Sequence, residues 1–300
     1  ADTPAGAPVG GAGRERPARE HFGFVDGISQ PAHFHKGIDA PPSAWNSAAL
    51  GDLLIGYTDT YGGCCAEPSV PTDLPGASGL WPAAPGLASL GRNGSYLVAR
   101  QLHQDVAGFW GDMAVEAAWL NLVRHPDHPR LDAVALAHRL VGRTLDGQVL
   151  RPEGSEAGNE FGFAGPDPHG EGCPLGAHIR RANPRDAGAR RKASADSRAL
   201  ALEAVNNHRI VRRGRAFGPW LAFRRGAQPP PAADGVERGL MFLALGADIE
   251  RQFEFIQQTW LLAPDFATLG GETDPLAGPE GRFSIQALPV ALRVRAKRYV

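Results

Sequence analysis

Hydrophobic positions along the chain gather into a few marked stretches, separated by long polar or glycine-rich intervals. From Gln104 to Val123 the apolar residues Val106, Phe109, Trp110, Met113, Ala117 and Leu120 recur at helical spacing. A second helix is predicted over Leu131–Val141, stopped by Gly142. Gly239–Leu245 is apolar throughout and predicts a central strand; over Ile249–Leu262, Phe253, Ile256 and Trp260 then mark one face of a helix. Further strands are predicted at Gly94–Leu102, entered through the turn Arg92-Asn93-Gly94, at Leu53–Tyr57, at Ile210–Arg212, and in part over Phe283–Val300. Residues 1–20 have no hydrophobic period and read as a flexible lead, ahead of one region spanning 21–300. The intervals 32–90 and 144–172 read mostly as loop, and 187–205 as a partly helical surface insertion. Strands mixed with helices, without a regular βαβ rhythm, predict an α+β fold.

Composition adds little to this picture but excludes some functions. The 31 basic residues nearly match the 32 acidic ones, so nucleic acid or an anionic membrane is not expected as a partner. No apolar run approaches the roughly 20 residues needed to cross a bilayer. The 38 glycines and 26 prolines account for the long loops. Three cysteines, Cys64, Cys65 and Cys173, make a poor disulfide framework and point to a reducing compartment such as the cytoplasm. No phosphate-cradling glycine loop and no nucleophile-elbow motif is present, which disfavours nucleotide enzymes and serine hydrolases.

Candidate chemistry lies where polar residues interrupt apolar strings. In Phe22-Gly23-Phe24-Val25-Asp26-Gly27 an acid sits among aromatics and glycines. Asp26 is either a turn residue capping a backbone N–H or an acid–base carboxylate, with Gly23 and Gly27 letting a ligand approach closely. In the stretch Cys173–Arg185, His178 precedes Arg180, Arg181 and Arg185. A lone histidine is most often a hydrogen-bonded core or surface residue, but an imidazole followed by cations also suits a metal-bearing cofactor with carboxylates. In the third segment, Arg209, Arg212, Arg213 and Arg215 fall within seven positions, and the strand-like Ile210-Val211 turns at least one of them inward. His33 and His35 share one face of an extended segment without a third metal ligand at suitable spacing, and His125, His128 and His138 read as solvated.

Taken in order, these segments resemble the dye-decolourising (DyP-type) haem peroxidase family over about residues 20–300. The resemblance is carried by Gly23–Gly27, Gly91–Tyr96, Gln101–Val106, Cys173–Arg185, Arg212–Pro219, Gly239–Phe242 and Gln252–Gln257. It implies a ferredoxin-like antiparallel sheet with helices on one face and haem b between them, as in the chlorite-dismutase-like superfamily. It also implies hydrogen peroxide and organic electron donors as substrates. Residue by residue, it makes Asp26 the distal acid, Arg212 the distal arginine and His178 the axial iron ligand. Leu240 and Phe242 become the distal wall, and Arg185 a partner for a haem propionate. The carboxylate expected behind His178 is assigned to Asp248, with Glu254 in reserve, and Trp220 to electron transfer at the surface in place of a tyrosine the family often has at Phe217. Members usually carry a further ferredoxin-like half ahead of the glycine–aspartate element and a longer C-terminal strand region. Either the chain is a fragment, or a partner chain or a homo-oligomer is expected to complete the fold. A haem-binding or haem-processing protein, and a structural module without haem, are the alternative readings.

Overall fold

The structure, a computed structural model, describes residues 18–123, 126, 130–189, 193–286, 292–297 and 299–300. Its helical layer follows the periodicity. Helix α1 (Val106–Val123) buries Val106, Phe109, Trp110, Met113, Ala117 and Leu120, six positions on one stripe. Helix α2 (Ala133–Val141) begins where Asp132 accepts the N–H of Ala135 at 2.7 Å and ends at Gly142, whose φ of 94° is a left-handed closure. The two helices share a core with Phe22 and Phe24, so the aspartate-bearing loop rests on this layer. His138, expected in solvent, instead accepts the N–H of Leu145 at 3.1 Å and meets the ring of Phe24 edge-on, because the loop closes over the helix end. His125 and His128 lie outside the described residues.

The principal sheet is antiparallel. Strand β1 (Tyr96–His103) pairs with β4 (Gly239–Gly246), whose other edge receives β2 (Val211–Arg212) and β3 (Arg215–Phe217). The apolar run thus becomes the central strand, as its composition requires. Register fixes what shares a face: Arg212 pairs with Ala244, and alternation puts Leu240 and Phe242 on that same side. The helix α5, formed by Ile249–Glu254 and Ile256–Leu261, is wound with a π-type bonding pattern and sends Phe253 under the Arg100 guanidinium at 4.9 Å. Between sheet and α2 in sequence lie a short helix α3 (His178–Ala182) and α4 (Ala195–Asn206), the latter within the predicted insertion. A separate hairpin, β5 (Gly281–Ile285) with β6 (Leu292–Ala296), closes the helical core through Phe283, Ile285 and Val294.

Along β1 the opposite face of the sheet is left open by the described residues. Leu97 is 60% exposed, and Ala99, Gln101 and His103 follow it in the open along β1. Leu53–Tyr57 does not form the expected strand; Leu50–Asp52 is a 3-10 turn, and Gly56 adopts a φ of 88° that breaks extended geometry. Of the lead expected over 1–20, residues 18–20 are described and belong to the fold: Arg19 bridges Val25, and its guanidinium reaches the carbonyls of Gly23 and Leu145. The described residues contain no helix long and apolar enough to cross a membrane.

Candidate active site

The glycine–aspartate loop turns at Gly23, with φ 107°, and again at Gly27, with φ 80°, values that side-chain-bearing residues rarely adopt. Asp26 stands between them. Its Oδ1 accepts the N–H of Gly27 at 2.7 Å, the turn contact that the sequence allows, while its Oδ2 takes no hydrogen bond from the described residues. That oxygen lies against Gly214, where an added methyl would sit 2.8 Å from it and 3.0 Å from Leu240. A side chain at position 214 would therefore displace either the carboxylate or the leucine. Both stand beside the strand that bears Arg212.

Arg212 donates to the carbonyl of Ile28 at 3.0 Å, and its own N–H goes to Gln30. Burial lowers the pKa of its guanidinium, and the Asp26 carboxylate pulls it back up. Arginine keeps its charge through such a shift. The two residues are thus an acid and a cation close enough to feel each other, on a face shared with Leu240 and Phe242.

His178 opens α3. Its Nδ1 lies 2.9 Å from Asp274 Oδ2, and the carboxylate is wholly buried while the imidazole remains one-third exposed, at 34%. Asp274 Oδ1 accepts the N–H groups of Leu276 and Ala277 at 3.0 and 2.8 Å. Burial alone would push this carboxyl up, but His178 and the two amides hold it below the ordinary range. Burial likewise presses His178 toward neutrality, and Asp274 outweighs it, raising the imidazole's pKa; the Arg212 charge opposes that rise. Arg212 and His178 are therefore electrostatic neighbours. With Nδ1 committed, Nε2 is the nitrogen left for a metal.

This overturns one assignment. Asp248 is the N-cap of α5, accepting the N–H of Arg251, and neither it nor Glu254 is the partner of His178. The true partner, Asp274, is 96 residues from His178, and Arg181 ties the two regions together. Its Nη1 donates to the carbonyls of Trp260 and Ala263 at 2.8 and 3.1 Å, and its Nη2 to that of Glu272 at 2.6 Å. One sequence signal existed: an aspartate two and three residues before free amides is a turn-capping pattern. Nothing in it points to His178.

A second reassignment concerns cations. Arg185, expected at a propionate, spends its terminal N–H groups on Asn159 O, Phe161 O, Ser29 Oγ and Asn46 Oδ1, with the ring of Phe161 3.8 Å away. Arg180 is turned onto Cys173 O and Asp167. Arg143 similarly serves Gly147 O and Asn159. Arg209 differs: Nη2 donates to Ser29 O at 3.0 Å, whereas Nη1 is buried without a partner. None of Arg143, Arg185, Arg209 and Arg212 forms an ion pair with a described carboxylate. Burial, followed by mutual repulsion, brings Arg185 down to about 9 and Arg209 down to about 10. A buried concentration of positive charge with a spare donor is suited to an anionic group. His33 and His35 gather no third ligand among the described residues.

Comparison with known proteins identifies relatives of the chain. No family model matches the chain. It is 33% identical over 255 residues to a multifunctional dye peroxidase of an Amycolatopsis species, an alignment covering 82% of this chain and 47% of that protein. A dye-decolorizing peroxidase of Mycetinis scorodonius is 30% identical over 296 residues, with 93% of this chain and 50% of the relative covered. The chain thus spans about half the length of these curated relatives. Among solved structures, the Amycolatopsis dye peroxidase superposes with a TM-score of 0.61 at 27% identity, over 97% of this chain and 59% of the other. An ancestral D-type dye decolorizing peroxidase gives 0.63 at 26%, over 95% and 60%. A DyP-type peroxidase of Anabaena shares the fold with a TM-score of 0.62, over 93% and 54%. By sequence and by fold, this chain is similar to DyP-type peroxidases over about half the length of those curated relatives.

Proposed function

We propose that this chain binds haem b and uses it to reduce hydrogen peroxide while oxidising dyes, phenols or other organic donors. The observation that carries the reading is the Asp26 carboxylate lying against Gly214 and Leu240, beside the strand that bears Arg212, with a separate histidine, His178, backed by the buried Asp274 carboxylate. The residues fit the cofactor. Nε2 of His178 would hold the iron, Leu240 and Phe242 would line the opposite wall, and the unpartnered Nη1 of Arg209 would take a haem carboxylate.

Haem, when bound, supplies a redox-active iron at which the peroxide O–O bond is broken. The protein's share is proton and charge management. Asp26 Oδ2 accepts a proton from one peroxide oxygen and returns it to the other, which leaves as water. Arg212 puts a permanent positive charge where negative charge develops. Asp274 fixes the ring orientation of His178 and makes it a stronger donor. Trp220, partly exposed and edge-on to His21 at 4.8 Å, is the proposed exit for electrons drawn from bulky donors. The bare face from Leu97 to His103 is where a polypeptide equivalent to the part of the relatives not spanned here would lie.

The test begins with an absorption spectrum of the purified chain supplied with haem, before and after peroxide. A Soret band that responds to peroxide, with turnover of an anthraquinone dye, is expected. Arg212→Leu should cut the rate of the peroxide reaction by roughly 10²–10³-fold while haem stays bound. A bound haem that peroxide leaves unchanged would favour a haem-carrying role, and no Soret band at all would favour a structural one.

A further inference from the structure

Near the proposed acid–base residue, a second carboxylate spends its hydrogen bonds on the loop itself. Glu20 closes the segment that reads in sequence as flexible lead. Its Oε2 accepts the N–H of Phe22 and its Oε1 that of Phe24, both at 2.8 Å, and Gln104 Nε2 donates to Oε2 at 2.6 Å. The main chain repeats the pattern, with Gly23 N–H on Glu20 O at 2.8 Å and Glu20 N–H on Phe24 O at 3.1 Å. Four of these five bonds go to residues 22–24. Phe22 and Phe24 are only 2% and 5% exposed, so their amides have no water to turn to.

The turn is also anchored outward. Phe22 O accepts Trp110 Nε1 at 3.2 Å and Arg225 Nε at 3.1 Å, and its ring lies 4.5 Å from that of Phe109. Asp26 follows two residues after this pinned turn, its N–H on Ala18 O at 2.9 Å and Val25 bridged to Arg19. Residues 18–26 thus form one closed unit with the Glu20 carboxylate as its internal cap. The Asp26 carboxylate, by contrast, has only the neighbouring Gly27 amide to hold it among the described residues. Burial raises the pKa of Glu20, its three donors offset that rise only in part, and the nearby Asp26 charge adds to it. Leaving two buried amides without acceptors is costly enough to reorganise the turn.

We propose that Glu20 is a positioning residue, whose carboxylate fixes the Phe22–Phe24 turn and thereby the place from which Asp26 acts on peroxide. The inference rests on the reading of Asp26 given above. It assigns a task to residues that sequence pattern alone leaves outside the folded region.

The test uses the haem-loaded chain as wild type, Glu20→Gln, Glu20→Ala and Asp26→Asn. Glu20→Ala should slow the absorbance change on mixing with peroxide by roughly 10–100-fold, as a displacement near 1 Å can do, with KM for the dye unchanged. Glu20→Gln keeps one acceptor oxygen and should fall between. Amide exchange of the 21–27 peptide, read by mass spectrometry, should accelerate in both variants. Wild-type peroxide rates in both Glu20 variants, beside a slow Asp26→Asn, would overturn the positioning role and leave Asp26 standing. A wild-type rate in Asp26→Asn would instead remove the reading beneath it. Should Glu20→Ala fail to load haem, Glu20→Gln decides, and unchanged exchange over 21–27 in that variant overturns the proposal.

Discussion

On the His178 side of the site, the partner carboxylate has both oxygens engaged: Asp274 receives two backbone amides on Oδ1 and the imidazole on Oδ2, at zero exposure. On the Asp26 side, one carboxylate oxygen touches the next residue's amide and the other takes no hydrogen bond from the described residues. The difference fits the two tasks proposed for these carboxylates. A group that orients a metal ligand does best immobilised and permanently charged, whereas one that shuttles a proton must keep an oxygen free to gain and lose it. On the second side the hydrogen bonds lie one step back, in the Glu20-capped turn, which on the proposed reading fixes the frame and leaves the acting oxygen free.

The comparison can be broken most forcefully at the imidazole. His178→Ala removes the only ring nitrogen assigned to the iron and leaves Asp274 buried without its histidine. Haem binding by the full chain should weaken at least about a hundredfold, read from the Soret absorbance retained after gel filtration. Undiminished haem retention with an unshifted Soret band would sink the axial assignment. Asp274→Asn is milder, since the amide keeps the size and one acceptor but loses the charge. It should retain haem, raise the iron's reduction potential and slow the peroxide reaction roughly 10–100-fold. A potential identical to wild type would mean that the couple is structural only.

What the sequence disclosed divides along the same line. Short-range features were legible: the α1 stripe, the Asp132 and Gly142 ends of α2, and the central strand at Gly239–Gly246 follow from spacing and local sterics. Asp26, Arg212 and His178 stood out through motif resemblance, and the electrostatic neighbourhood of Arg212 with each of the others is consistent with one site. Relations across the fold were hidden. The Asp274 side chain meets His178 only because Arg181 gathers Trp260, Ala263 and Glu272 around α3, and no pattern near residue 274 records that. The cations are hidden for a related reason. Arg185 looked available in a basic run, yet whether a guanidinium is free depends on which carbonyls converge on it, here those of Asn159 and Phe161. Arg209, in an equally basic run, keeps its terminal Nη1 buried without a partner among the described residues. Sequence pattern leaves Glu20 unmarked because glycine, alanine and proline dominate the residues before it, and composition reports on a window, not on one carboxylate.

The smallest expected effect lies at the outlet of the distal side. Trp220 follows β3 by three residues, and its indole meets the ring of His21, whose Nε2 is 2.8 Å from Phe217 O. This places an oxidisable ring at the rim of the strand layer, in reach of donors too large to enter. The Arg225 guanidinium 5.4 Å from the indole works against it, since a cation near a ring makes removal of an electron harder. The route is therefore expected to be one of modest capacity. Trp220→Phe preserves the edge contact with His21 and removes the oxidisable indole, so kcat/KM for a bulky anthraquinone dye should drop a few-fold while a small phenol is oxidised at the wild-type rate. Equal losses for both donors would show that the substitution disturbs the shared site instead. No loss for either would mean that bulky dyes deliver their electrons elsewhere on the surface.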